Sequence, residues 1–397
     1  MRGFLLAALV HDLGHYPFAH VVEQYASGRF PENREIATTA SHEQHTISML
    51  DEDPELHALM EEHWGSEAIL QAKKVLLGQT GLSLLLDGPL DVDKLDYLSR
   101  DARHCGVVFG EGLDARQVLQ VLRFDPRSRS FHVSARGIAP VEGMLVLQDQ
   151  MLGEVYWHEV VRGVIAMFHA VFAHCVGTDS EKFTSLVSDL KSCRSEADAI
   201  AKVINPAIDQ YKSGGRGPDG QDTKDRLKEL SGLLTAPVYR SVYRPIATYR
   251  PDAAAHKASL SNIYNSLFRA VTSSSRTSAG IVWQKVGELR ESFLKAMDEK
   301  DIRASKLDVV IDIPCGKNPR KQIMVFDEEE QTEKDLASVS HLRESIFSQP
   351  AAFWSPVRVY VHPRLFEQIR SRVESIKRSA EELYSKGMAT SESEFPG

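Results

Sequence analysis

Four side chains that can ligate a metal or move a proton, His11, Asp12, His15 and His20, fall within the ten residues of HDLGHYPFAH. Fifteen histidines spread evenly over 397 residues would put fewer than one in such a window. An imidazole beside a carboxylate offers nitrogen and oxygen donors to a divalent cation, and the carboxylate can bridge to a second. His11 and His15 are four apart, a spacing that predicts one shared helix face, with Asp12 turned by roughly 100° about the axis. Gly14 and Pro17 are expected to bend the chain and return His20 to the same pocket. Glu23, three residues after His20, is placed to orient its imidazole and raise its pKa, as suits a general acid. The competing reading is a set of satisfied surface or core histidines.

Three further stretches carry chemistry-bearing residues. In SHEQH (41–45), His42 and Glu43 could add an imidazole and a carboxylate, although Ser41 with Gln44 also reads as an ordinary helix cap. In DVDKLDYLSRDARHCGV (91–107), Pro89 and Asp91 suit a helix start. Asp93, Tyr97 and Asp101 then follow at i, i+4 and i+8, with Lys94 at the edge of the stripe and Leu95 and Leu98 on the other side. Such a stripe could serve a metal, phosphates and a sugar, or simply be a charged helix face. Asp96 and Arg100 form a solvating ion pair. In VYWHEVVR (155–162), His158 and Arg162 are four apart on a long apolar helix with Tyr156 nearby. Tyr156 and His158 could stack on a sugar or base, or be polar tips of a core helix. His169 and His174 read as structural.

The elements that must position these residues are mostly helical. Apolar positions recur with helical period over 4–19, 42–50, 67–77, 90–105 and 143–175. Residues 130–135 alternate like a short strand or hairpin. Helices continue over 178–204 and between 225 and 298, with 213–222, SGGRGPDGQD, as the clearest flexible loop. The stretches 307–314, 322–326 and 357–361 are β-rich, with a helix around 333–346 between the last two. A charged helix over 363–386 and a disordered polar tail follow. The expected class is mainly α with a small C-terminal α/β appendage. The expected divisions are a helical catalytic domain over 1–178, a helical extension over 179–300, a small α/β subdomain over 301–365, and the charged helix and tail over 366–397.

Composition narrows the function. With 47 basic and 55 acidic residues the net charge is −8, so a polycation built for duplex DNA is excluded, and a nucleic-acid partner finds no support in the charge. A basic pocket for a small phosphate ligand stays compatible. Cys105, Cys175, Cys193 and Cys315 form no CxxC pair and read as free thiols in a reducing, cytoplasmic setting. The apolar run over 4–10 imitates a secretory signal but leads straight into the histidines without a cleavage site, so a buried helix is expected. No stretch approaches the roughly 18 apolar residues of a membrane span. A first methionine inside a core helix leads to the expectation that the domain is N-terminally incomplete.

In order and approximate spacing, HDLGHYPFAH, SHEQH, DVDKLDYLSRDARHCGV and VYWHEVVR resemble the motifs of the HD-domain metal phosphohydrolases. Within these the sequence looks most like the branch of the deoxynucleoside triphosphate triphosphohydrolases and the SAM-and-HD-domain triphosphohydrolase. The likeness extends more loosely to VRVYVHP, covering most of residues 1–365. It implies His11, Asp12 and Asp93 as ligands of a divalent metal (Mg, Mn, Fe or Zn). It implies His15, His20 and His42 along the phosphates, with His20, supported by Glu23, as the acid and His42 in the catalytic group. Lys94 would contact phosphate, Tyr97 and Asp101 a sugar hydroxyl, Tyr156 the sugar face and His158 the base. Two departures stand out. Residues 1–10 lack the family's further upstream histidine ligand, and LQDQMLGE (147–154) lacks the basic residues some triphosphohydrolases carry there.

The reaction so implied is hydrolysis of a nucleotide substrate, a dNTP giving deoxynucleoside and triphosphate, by a chain expected to form homo-oligomers. Two alternatives stand beside it. One is another HD enzyme acting on nucleoside monophosphates, cyclic nucleotides or single-stranded nucleic acid; the other is a nucleotide-binding regulator without catalysis. The hydrolase reading requires His11, Asp12 and Asp93 to converge on one cation.

Overall fold

Helices of this chain form where apolar residues recur every three or four positions, and their buried faces sort them into two compact units. The computed structural model describes residues 1–30, 33–125, 130–211, 223–235, 242–250, 263, 267, 278–313, 322–342 and 356–393. The loop expected over 213–222, Cys315 and the last four residues of the tail lie outside the described residues. One unit comprises Met1–His15, Ser41–His158 and Lys317–Trp354; the other comprises Tyr16–Ala40, Glu159–Gly316 and Ser355–Gly397.

In the first unit the Arg2–Val10 helix buries Leu6, Ala7 and Val10 against Ile69, Ala72 and Val75 of the Ser66–Leu76 helix, together with Leu50 and Met60. Burying each large apolar side chain here contributes roughly 1.5–3 kcal/mol. Gly3 permits the close approach, since a Cβ there would lie 2.4 Å from Cβ of Gln71. The Val92–Cys105 helix starts on Asp91, whose side chain accepts from the Lys94 N–H at 2.7 Å. It ends on Gly106, which takes the left-handed conformation at φ 74°. Its apolar side, Leu95, Leu98 and Ala102, packs with Val141, Met144 and Leu145 of the Ile138–Met151 helix. That leaves Asp93 and Asp101 towards the other side, while Tyr97 stays half-buried against the same core. A four-stranded sheet completes the unit in the order Leu122–Asp125, Ser130–Ser134, Met324–Asp327, Thr332–Asp335, antiparallel at both ends and parallel in the middle.

The second unit is built around the Glu159–Cys175 helix, which buries Ala166, Met167, Phe168, Val171 and Phe172 with Tyr25, Phe183 and Tyr360. A Cβ at Gly163 would meet Val242 and Tyr360 at 3.1 and 3.2 Å, so the small residue sets how closely the helix approaches. Its three-stranded antiparallel sheet runs Arg244–Tyr249, Val357–Val361, Val309–Asp312. All five residues of the central Val357–Val361 strand are buried.

The class is mainly α with a small α/β part, as the periodicity predicts, and several elements differ in detail. The β-rich stretches over 307–314, 322–326 and 357–361 do not share one sheet. Met324–Asp327 joins the hairpin of the first unit, whereas the other two pair in the second. Two strands arise inside stretches read as helical: Arg244–Tyr249, and Thr332–Asp335 in place of the start of a helix around 333–346. Both are stabilised by a partner strand that local periodicity does not reveal. The helix expected over 143–175 is interrupted. Ile138–Met151 runs into a wide π-type turn over Leu152–Tyr156, and a new helix starts at Glu159. The charged C-terminal helix divides into Pro363–Ile369 and Val373–Ser393, the second reaching into the stretch expected to be a disordered tail. Cys105, Cys175 and Cys193 are free thiols. Among the described residues no helix is long and apolar enough to cross a membrane.

Candidate functional site

The helix that carries the first histidine stops short of the second. Arg2–Val10 ends with His11 as its C-cap, and the chain continues in tight turns, with Leu13 N–H donating to Val10 C=O and His15 N–H to Asp12 C=O. His11 and His15 therefore do not share a continuous helix face, contrary to the i, i+4 expectation. The cause is Gly14, which is pressed against the His42–Glu52 helix. A Cβ there would lie 2.2 Å from the His42 carbonyl oxygen.

Thr46 latches this turn. Its fully buried side chain accepts from the Gly14 N–H at 2.9 Å and donates to the His11 C=O at 3.1 Å. His45 adds a ring N–H to the Gly14 C=O at 2.8 Å. Sequence spacing singles out neither Thr46 nor His45. The available signal is that Thr46 lies one helical turn after His42. Ser41 caps the helix by accepting from Gln44 N–H at 3.2 Å, as the cap reading expects.

Held this way, His11 donates Nδ1–H to the Ala8 C=O at 3.0 Å. A carbonyl only accepts, so Nδ1 carries a proton here and Nε2 is left for another partner. Nε2 is buried, lacks a hydrogen-bond partner among the described residues, and stands 3.3 Å from Asp12 Oδ1 and 3.5 Å from Asp93 Oδ1. The Asp93 carboxylate, opposed by burial and aided by Asp12, raises the His11 pKa to about 9. Asp93 is correspondingly held below the usual carboxylate range by His11. His11 Nε2 thus has two carboxylate oxygens within 3.5 Å. The trio is not among the groups of described side chains whose ligand atoms all lie within 4.8 Å of one another; within the first unit such a group is formed by Asp125, His132 and Glu333. His15 Nε2 lies 3.5 Å from the same Asp12 oxygen, and its ring stands 4.0 Å from that of His42 at 61°. His42 Nε2 is 3.6 Å from Glu43.

The acidic helix contributes more than Asp93. Tyr156 O–H donates to Asp101 Oδ2 at 2.8 Å, and the Tyr97 and Tyr156 rings meet edge to face with centroids 6.0 Å apart. Burial keeps both phenols protonated far above neutral pH, helped at Tyr156 by Asp101. Lys94 is already engaged: its ammonium is bound to Asp91 and donates to the Gly88 C=O at 3.0 Å. Asp91 is buried, and burial raises its pKa against the pull of Lys94. His158 is exposed after the wide turn and precedes the Glu159–Cys175 helix, so it does not share that helix with Arg162 as its spacing suggests.

His20 and Glu23 belong to the second unit. The His20 ring nitrogen Nδ1 is 2.7 Å from Glu23 Oε2, the i, i+3 pair the spacing predicts. The bend before them is made by Phe18 and Ala19 at φ 71° and 49°. This is left-handed backbone that side chains other than glycine adopt at a cost of about 1–3 kcal/mol. Arg162, in the same unit, is a structural residue, with its guanidinium buried on Asp312.

A scan against protein-family models finds no match. The uncharacterized protein YwfO of Bacillus subtilis (strain 168) is 30% identical over 162 residues, 40% of this chain and 34% of that protein. The uncharacterized protein MJ1154 of Methanocaldococcus jannaschii is 28% identical over 159 residues, 40% of this chain and 30% of that protein. The matched part is thus about a third of the length of these curated relatives. A hypothetical protein from Aquifex aeolicus superimposes with a TM-score of 0.56 at 21% identity, covering 93% of this chain and 79% of its own. A phosphohydrolase from Bacteroides thetaiotaomicron VPI-5482 does so with a TM-score of 0.52 at 16% identity, covering 91% and 79%. The chain therefore shares its fold with these two solved structures.

Proposed function

We propose that the chain is a metal-dependent phosphohydrolase of the HD type that hydrolyses deoxynucleoside triphosphates to deoxynucleoside and triphosphate. The observation that carries this reading is the convergence of Asp12 Oδ1 and Asp93 Oδ1 on His11 Nε2, at 3.3 and 3.5 Å. The fold shared with a phosphohydrolase supports it. These three side chains would hold the cation. A divalent ion so held supplies Lewis-acid polarisation of a phosphoryl oxygen and a more acidic bound water. His15 and His42, ring against ring beside Asp12, would line the phosphates. Asp101, fixed by the Tyr156 hydroxyl, would accept from a sugar hydroxyl, and the Tyr97–Tyr156 pair would close the space beside the ring.

A second reading rests on Lys94. Its ammonium is taken up by Asp91 and Gly88, which leaves fewer cations for a triphosphate and favours a substrate with fewer phosphate charges. One experiment separates the two. The purified chain is incubated with Mg, Mn, Fe or Zn and a panel of dNTPs, NTPs, monophosphates, cyclic nucleotides and short oligonucleotides, with products resolved by mass. Triphosphate release from dNTPs that disappears in Asp93→Ala supports the first reading. Turnover of monophosphates or cyclic nucleotides alone supports the second. Turnover unchanged in Asp93→Ala removes both.

A further inference from the structure

A β-strand turns alternate side chains to opposite faces of its sheet. In the Ser130–Ser134 strand Val133 joins the apolar core of the first unit, which sends His132 to the other face. His132 is nonetheless buried, at 4% exposure. A hidden imidazole needs partners for its ring nitrogens.

The strand register brings two carboxylates to the same face. Asp125 is paired with Ser130, two residues before His132. His132 is paired with Met324, and Glu333 with Phe326, two residues further along the Met324–Asp327 strand. Directly paired residues and residues two apart share a face, so Asp125, His132 and Glu333 project together from three strands of one sheet. Their side chains meet. His132 Nδ1 is 3.3 Å from Glu333 Oε1, and Nε2 is 4.0 Å from Asp125 Oδ2 and 2.9 Å from Ser130 Oγ. One ligand atom from each of the three lies within 4.8 Å of the others. Arg123, the register partner of His132, shares this face, but its guanidinium donates to the Gln120 and Leu122 carbonyls at 2.7 and 2.9 Å.

We propose that Asp125, His132 and Glu333 form a structural site for a divalent first-row transition cation such as zinc, sharing no residue with the site built on His11, Asp12 and Asp93. One imidazole and two carboxylates are a donor set for such ions, and their two negative charges balance the cation. Ligand atoms about 2.1 Å from one ion lie roughly 3–4 Å apart, a separation this group reaches with small side-chain rotations. Glu333 is exposed, so water has access to the remaining coordination positions. The cation would tie the hairpin carrying Asp125 and His132 to a strand from much later in the chain, and so stabilise the sheet.

The test uses the full chain and its Asp93→Ala variant, which lacks one donor of the other site. Each is loaded with zinc chloride, and zinc per chain after dialysis, zinc affinity and the zinc-dependent shift in unfolding temperature are read. Asp93→Ala should keep a zinc equivalent whose affinity falls at least about tenfold when Glu333→Gln or Asp125→Asn is added, and the unfolding shift should fall with it. Both replacements keep the side-chain shape, and circular dichroism without zinc checks folding. Should Asp93→Ala fold poorly, the same replacements in the wild-type chain should each remove one zinc equivalent. Retention in Asp93→Ala with dependence on Glu333 and Asp125 supports this site whatever the outcome at Asp93. The site is overturned if a folded Asp93→Ala holds no zinc. It is equally overturned if either Glu333→Gln or Asp125→Asn leaves the zinc affinity and the unfolding shift unchanged, and His132 then stands as an imidazolium between two carboxylates.

Discussion

The carboxylate of Asp93 stands 3.5 Å from Nε2 of His11, although the two residues are more than eighty positions apart in the chain. With Asp12 at 3.3 Å it gives that buried nitrogen two acidic neighbours. Asp93→Ala and His11→Ala should each lower divalent-metal affinity by at least about 10–100-fold, the loss expected even for a residue that only orients a ligand. Metal content per chain after dialysis, with circular dichroism to confirm folding, checks this. Full retention of metal in both variants would remove the assignment.

Thr46 controls the turn that presents His11. Thr46→Val keeps the shape but leaves the Gly14 N–H and the His11 C=O without their partner. The expected loss is about 2–4 kcal/mol, read as a lower urea midpoint, together with weaker metal binding. Thr46→Ser should recover most of both. A valine variant as stable as wild type would show that the latch is dispensable.

Arg162 and Asp312 form a buried pair in the second unit. Arg162→Met strands the carboxylate and should cost about 3–5 kcal/mol. Combining it with Asp312→Leu should restore much of that stability, since neither charge then remains to be desolvated. Equal destabilisation in the single and double variants would contradict the pairing argument.

His169 provides a pH test. Burial, with the charge of Arg162, lowers its pKa to about 4, while its ring nitrogen contacts the Val21 C=O at 3.2 Å. The unfolded chain binds this proton near the ordinary value of about 6.5, so between these values the unfolded state holds more protons. The contribution is complete above about pH 6.5, erodes as pH falls, and is gone below about pH 4. Because His169 keeps some solvent access, the loss is on the order of 1–2 kcal/mol. Urea unfolding of wild type and His169→Phe at several pH values isolates it. Parallel pH profiles for the two proteins would rule it out.

Local signals are the readable ones. The cap at Asp91, the Asp93–Tyr97–Asp101 stripe, the Asp96–Arg100 pair and the His20–Glu23 contact all follow from spacings of three or four residues on a helix. Spacing misleads where packing intervenes. It places His11 and His15 on one helix, but Gly14 must fit beneath the His42 carbonyl, and the helix ends first. The family resemblance offers Lys94 to a phosphate; in the folded chain its ammonium is bound to the buried Asp91.

The amino-acid order by itself determined which residues carry donors, which helix face many of them occupy and that the chain is mainly helical, because helix formation depends on neighbours a turn away. Only the folded chain decided that Asp93 meets His11, that Thr46 holds the turn after that histidine, and that β-rich stretches divide between two sheets. Those outcomes depend on contacts between distant segments, where shape and burial select the partner and no periodicity encodes it.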